Sequence, residues 1–414
     1  LTVLVWDRTH SPLWTAVTYA GSYLPWLLGG VVLAGLADTW SRRRVLISCD
    51  VTRGSLIALI AVPGIPLQLM VALLFTATLL DGPFMAARAA TFADILPGDR
   101  YRLGVATASS TFMAAMVAGF VAGGILVGTA GARPALLIDA ATFAASALLI
   151  QLAVSARPPA AGRAIPAAAR ISSGLVLVFS DRRLRTCMLF GWLEALWSVP
   201  AGLAVPYAAA LGGGPAAAGL LFAAAPLGTA AGTAVYGRRA GAQHQARWMG
   251  PLAVLCCAVL AIFAARPGLA WSLVIITVSG VLGCYQIAAN VGFMTALRRR
   301  DQQAQAFGVA TAGIWTAQGL AYLAAGALAD VVAPARVIAI CGVTGAAAAA
   351  ALTISGRRAA SGAARQPIPA ASAARHPDPS PSSRPLGGDL VKIVVTAILL
   401  PTARIPAWTH KLPR

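Results

Sequence analysis

Apolar residues run along the chain in blocks long enough to cross a hydrocarbon core of about 30 Å at about 1.5 Å per residue, and polar residues sit in the short joins between them. Eleven blocks predict eleven helices, at approximately 12–37, 45–63, 66–86, 103–129, 134–155, 185–210, 216–236, 248–265, 269–296, 305–331 and 335–355. Turn signals mark most of the joins: Pro63-Gly64, Pro97-Gly98, Gly212-Gly213-Gly214-Pro215, Pro267-Gly268 and Pro334. The opening residues, Leu1 to Trp6, read as the last turns of one more block. The expectation is an all-α membrane protein of twelve transmembrane helices, with the first helix largely missing.

The longest internal join divides six blocks from six. Residues 1–155 form an N-terminal half, 156–183 a central loop rich in Ala, Pro and Arg, and 184–355 a C-terminal half. The halves echo each other: Val117 to Arg133 (VAGFVAGGILVGTAGAR) resembles Gly319 to Arg336 (GLAYLAAGALADVVAPAR), and GLADTWSRRR and GTAVYGRRAG occupy matching joins. Two related halves around a central site are what alternating access requires. From about Gly356 to Arg414 the composition turns to Ala, Ser, Pro and Arg, which predicts a disordered tail; Ile393 to Leu400 is too short to span.

Composition agrees with the pattern, at 58% apolar and 11% charged residues. The net charge of +19 suggests nucleic acid as a partner until the positions of the arginines are considered. Eighteen lie in one set of alternate joins (42–44, 88–102, 157–185, 238–247 and 298–300), against Arg8, Arg133, Arg266 and Arg336 in the other. That asymmetry is a topology signal. It places the first set and both termini in the cytoplasm, with no nucleic-acid partner. The six cysteines fall inside apolar blocks without metal-ligand spacing, and there is no phosphate-cradling Gly-Lys-Ser/Thr loop, so neither a cofactor nor ATP hydrolysis is expected. A membrane-embedded transferase would need acidic residues clustered at one interface; here they are scattered singly.

The join Gly35-Leu36-Ala37-Asp38-Thr39-Trp40-Ser41-Arg42-Arg43-Arg44-Val45-Leu46 resembles the loop signature of the major facilitator superfamily. Further segments are similar to the branch holding macrolide and siderophore exporters: Leu24-Pro25, Asp50 to Arg53, Ala87-Arg88-Ala89, Ile138 to Phe143, and Ala204 to Tyr207 with Pro226-Leu227-Gly228. The chain departs from the pattern at Thr39, where relatives have arginine, and at Ala86, where they often have proline. The resemblance implies a proton-coupled exporter of a drug-like or siderophore-like molecule in a bacterial plasma membrane, working as a monomer. It also implies that the loop containing Gly35, Asp38, Arg42, Arg43 and Arg44 latches the halves in the outward-facing state. On physical grounds Asp38 can pair with the three guanidinium groups, which also fix topology and meet anionic lipid. With its missing helix and atypical tail, the chain also fits a truncated, inactive relative.

Ionisable groups at membrane depth are costly and are therefore candidates for function. Asp50 and Arg53, at i and i+3, share a face and are expected to pair as a structural brace. Glu194 lies mid-span with no cation within a turn, so it is either a protonated brace or a group that takes up and releases the coupling proton. Gln286 and Asn290 share a face, and with Gln318, Tyr207 and Trp197 they are candidates to line a cavity for a bulky solute. The topology makes a direct prediction. Cysteines introduced by Arg43→Cys and Arg239→Cys should react with an impermeant maleimide from the same side of the membrane; labelling from opposite sides would overturn the threading.

Overall fold

Local chemistry sets where the helices begin. Ser11 accepts a hydrogen bond from the Trp14 N–H at 3.4 Å, and Pro12 opens the following helix, where a missing N–H costs nothing. Asp181 accepts from the Arg183 and Leu184 N–H groups at 2.7 and 3.2 Å and starts another. The Pro63-Gly64 and Gly212 signals are turns in which the glycines take φ of 84° and 71°, angles that a side chain would oppose.

The computed structural model describes residues 1–25, 40–95, 99–154, 167–239, 241–297 and 300–363, and among them every regular element is helical. The N-terminal half holds α1 (Thr2–Thr9), α2 (Pro12–Ala20), α3 (Arg42–Ile60), α4 (Leu67–Leu79), α5 (Asp81–Ile95), α6 (Asp99–Ala130) and α7 (Ala132–Ala153). After α8 (Ala167–Ser180), an interrupted stretch comprises α9 (Arg182–Trp192), α10 (Glu194–Trp197), α11 (Val199–Gly202) and α12 (Ala204–Ala210). Then come α13 (Pro215–Arg239), α14 (Ala242–Ala258) with a 3₁₀ extension to Ala265, α15 (Leu269–Leu282), α16 (Tyr285–Ala296), α17 (Arg300–Ala329) and α18 (Pro334–Ala363). Among the described residues, seven helices are long and apolar enough to cross a membrane, and the bent stretch from α9 to α12 makes an eighth. The predicted spans 45–63 and 305–331 are helices as well; α3 carries Arg42 to Arg44, Asp50 and Arg53, and α17 carries Gln305, Thr311, Thr316 and Gln318 among its apolar residues.

Two boundaries differ from expectation. The central loop is not loop throughout, because α8 occupies its second part. The run Leu175-Val-Leu-Val-Phe179 supplies an apolar face, and Val178 is fully buried among Leu184, Met188, Phe293 and Val309. The last helix continues to Ala363, beyond the expected 355, while residues 364–414 of the predicted tail lie outside the described residues.

The outer surface is apolar as well as the core. Leu152 and Val331 are 76% and 81% exposed on the outer surface, as suits a lipid environment, while the interior is rich in alanine and glycine. Small residues let backbones touch. In α13, Gly228 and Gly232 lie against the backbone of Thr277 and Val281 in α15, and Gly280 lies against Ala225 in return. Gly228→Ala should therefore lower thermal stability in detergent by about 1–3 kcal/mol, because the clash is with backbone that cannot yield. Gly237→Ala, whose Cβ would meet only the end of Ile287 at 3.7 Å, should melt like the wild type.

Candidate functional site between the two halves

The halves meet at two crossings that repeat each other. A Cβ on Gly124 of α6 would lie 2.9 Å from both the Pro215 carbonyl oxygen and the Gly219 Cα of α13. A Cβ on Gly326 of α17 would collide with the Cβ of Ala16 and lie 3.2 Å from the Pro12 carbonyl oxygen of α2. Gly124 and Gly326 are matched positions in the sequence repeat, as are the Phe120 and Tyr322 one turn before them. Phe120 stacks on Phe222 of α13 at 5.3 Å, and Tyr322 meets Tyr19 of α2 at 4.9 Å. Tyr19 and Phe222, which hold related positions, touch each other at 5.4 Å, so these rings lie close to the pseudo-twofold axis.

Both crossings sit away from the arginine-rich ends of the helices. There Ser11 Oγ and the Leu13 N–H also donate to Asp330 Oδ1 at 3.2 Å each, tying α2 to the end of α17. Nearer the arginine-rich end of α6, four consecutive residues, Ser109 to Phe112, are exposed, so the helix is bare on every side.

Below the aromatic pairs lies Glu194, half-buried, where α9 gives way to α10. Pro200 and Pro206 remove backbone donors from this stretch, which bends by 40° between Arg182–Gly202 and Ala204–Ala210. A second interruption, at Gly283-Cys284 between α15 and α16, faces it. Gln286, in the first turn of α16, donates from Nε2 to Glu194 Oε2 at 2.8 Å, and Gln318 of α17 approaches the same carboxylate. Among the described residues no cation forms an ion pair with Glu194; the pair present joins Arg53 to Asp81. Tyr322 Oη donates to Ser198 Oγ at 3.0 Å, Tyr23 Oη donates to Tyr19 Oη at 3.2 Å, and Tyr23 packs against Trp315 at 5.3 Å. The result is a carboxylate, two amides and four hydroxyls, set among rings contributed by both halves.

Glu194, Gln286 and Gln318, three residues singled out in the sequence, thus come together. Others do not join them. Tyr207 is buried, and its hydroxyl engages the Pro267 carbonyl and Ser272 Oγ, both at 2.8 Å, which makes it a clasp at the far end of the helix. Trp197 is also a core residue, its ring 3.3 Å from where a Cβ of Gly283 would stand. Asn290 lies one turn beyond Gln286 and is exposed. Asp50 does not pair with Arg53: it accepts from Ser146 Oγ at 2.6 Å, while Arg53 reaches across to Asp81 at 2.8 Å and lies 4.6 Å over the Phe143 ring. A long guanidinium arm favoured the neighbouring helix over its own. Gly35 and Asp38 of the expected latch lie outside the described residues. Of its arginines, Arg42 donates to the Ala90 carbonyl and Arg43 to the Gln151 carbonyl, pinning α3 to α5 and α7 within the N-terminal half, while Arg44 is exposed.

Tyr19, Tyr23, Ser198, Phe222 and Tyr322 were not singled out from the sequence as site residues. Their signal was present in the repeat, where Phe120 aligns with Tyr322, and in the one-turn spacing of Tyr19 and Tyr23.

The sequence profile of the Major Facilitator Superfamily matches residues 6–207. The structure is similar to that of a POT family transporter in complex with thioalcohol conjugated peptide, with a TM-score of 0.67 over 84% of this chain and 88% of that one at 10% identity. It is similar also to a variant of the nucleoside transporter NupG, with a TM-score of 0.64 over 86% of this chain and 94% of that one at 13% identity. At such identities the likeness carries the fold and not the solute. No curated protein matches the sequence.

The carboxylate cluster makes a prediction about stability. Glu194→Gln keeps a partner for both amides and should melt near the wild type. Glu194→Leu leaves the Gln286 and Gln318 amides unpaired and should cost about 1–3 kcal/mol in a detergent melting assay.

Proposed function

We propose that this transporter of the major-facilitator type exports a drug-like or siderophore-like small molecule in exchange for protons, with Glu194 as the coupling carboxylate. The observation that carries the reading is the placing of Glu194: at a helix interruption between the halves, held by amides and, among the described residues, not by a cation. Charging a carboxylate in a low-dielectric interior is costly, so its proton state responds to which face supplies water. The bound solute and the proton then compete for one cluster. The tyrosine and tryptophan rings around it offer contact area for a bulky, partly apolar molecule. The sequence resemblance to macrolide and siderophore exporters supports the direction and the class of solute.

In this reading the structure is the state open towards the arginine-rich, cytoplasmic face. The glycine crossings and the Asp330 bonds to Ser11 and Leu13 hold the opposite ends together. Rocking the halves would part these crossings and close the other side, with Arg42 and Arg43 keeping the N-terminal half rigid as it moves. The chain acts as a monomeric carrier in a bacterial plasma membrane, with no catalytic step.

Proteoliposomes loaded with candidate antibiotics and siderophores test the reading. The wild type should drive solute movement under an imposed pH gradient. Glu194→Gln should fall to the rate of protein-free vesicles under that gradient, yet keep solute exchange when solute is present on both sides. Gradient-driven movement that survives the substitution removes Glu194 from the coupling step.

A further inference from the structure

A groove elsewhere in the C-terminal half combines an apolar floor, a hydroxyl without a partner among the described residues and a rim of cations that form no ion pair among them. It has a volume of about 510 Å³ and lies between α13, α14 and the α15–α16 interruption, lined by Ala231, Val235, Leu252, Val281 and Leu282, with Tyr236 and His244 towards the arginine-rich end. Tyr236 Oη is buried and has no hydrogen-bond partner among the described residues, a cost of about 1–3 kcal/mol unless something else fills the place. Two residues beyond Tyr236 stands Arg238, and three beyond His244 stands Arg247; both are exposed. Between Glu194 and Asp301 the sequence holds no acidic residue at all, so these cations have no carboxylate of their own segment to meet. Trp248, 43% exposed and 5.9 Å from the His244 ring, marks the level of the membrane interface.

We infer that the groove holds one anionic phospholipid of the leaflet facing the arginine-rich joins. One acyl chain lies along Val235, Leu252 and Val281. The Tyr236 hydroxyl donates to the ester carbonyl at the head of that chain, and Arg238 and Arg247 take the phosphate with His244 beside it. The order of these groups along α13, apolar then phenolic then cationic towards the helix end, is the order of the parts of such a lipid. A neutral hydrocarbon would leave both the hydroxyl and the guanidinium groups unanswered, and a soluble phosphate would leave the apolar floor bare.

The full chain, stripped of lipid in a neutral detergent, is titrated with phosphatidylglycerol, phosphatidylcholine or glycerol phosphate, and bound lipid is counted by native mass spectrometry alongside melting. Phosphatidylglycerol should bind one to one and raise the melting temperature, and phosphatidylcholine should do so much more weakly. Glycerol phosphate should do neither. The double variant Arg238→Gln/Arg247→Gln should weaken phosphatidylglycerol binding about 30-fold, from the loss of two cations at the membrane surface. Val235→Trp, which fills the groove from an exposed position, should abolish one-to-one binding while melting like the wild type without lipid. Equal binding of the two lipids, equal protection by glycerol phosphate, or undiminished binding in the double variant would each overturn the assignment.

Discussion

Two glycines, Gly124 and Gly326, determine how the centre of the protein is built. Each occupies a place where one half's backbone rests on the other's, and neither position has room for a methyl group. Lipid gives helices little hydrophobic reason to associate, so contact depends on packing and on the polar groups that close packing brings together. Because the crossings sit at one end of α2, α6, α13 and α17, these helices are held together there, and α6 is bare towards the other end. The aromatic pairs one turn away then form the ceiling of whatever space the diverging helices leave. The pseudo-twofold relation is more than a pattern in the sequence, since Tyr19 and Phe222, each three residues beyond the residue that a matched glycine touches (Ala16 and Gly219), are in contact with each other.

The fold was legible in the chain because a bilayer accepts few solutions. A backbone without water must satisfy its own hydrogen bonds, so long apolar blocks become helices, and arginine-rich joins mark where they turn. Proline and glycine at Gly64 and Gly212 announced turns that the structure contains. What failed was inference about side-chain partners from one helix at a time. Asp50 and Arg53 are close along α3, yet the interhelical alternatives, Ser146 and Asp81, won both. Tyr207 and Trp197 have the composition of cavity residues, but the helix interruptions turn them into the core. Gln286 and Gln318 were chosen for their chemistry, and only the tertiary arrangement explains why they matter: each is a partner of Glu194.

The interruptions are themselves informative. Irregular backbone at membrane depth is tolerated where protein or an aqueous cavity can satisfy it. Here the breaks within 182–210 and at Gly283-Cys284 face each other across the carboxylate and not the lipid. Gly283 lets the Trp197 ring lie against the second break, and Gly202 lets the Tyr322 ring lie close to the first stretch, so each break is packed by an aromatic residue. Tyr322 then spends its hydroxyl on Ser198, inside the same interrupted segment. A shift of α17 relative to α9–α12 would therefore move the aromatic ceiling and the environment of the carboxylate together.

The contrast between Asp81 and Glu194 follows from their partners. Asp81 is answered by a guanidinium that also lies over Phe143, so protonating Asp81 would strand a full positive charge beside an aromatic ring. That pair is fixed by the cost of breaking it. Glu194 is answered by amides, and an amide has both a donor and an acceptor end. The Gln286 group that donates to the carboxylate needs only a half-turn about its last bond to accept from the carboxylic acid instead. Each protonation state of Glu194 can thus be hydrogen-bonded without a counter-charge.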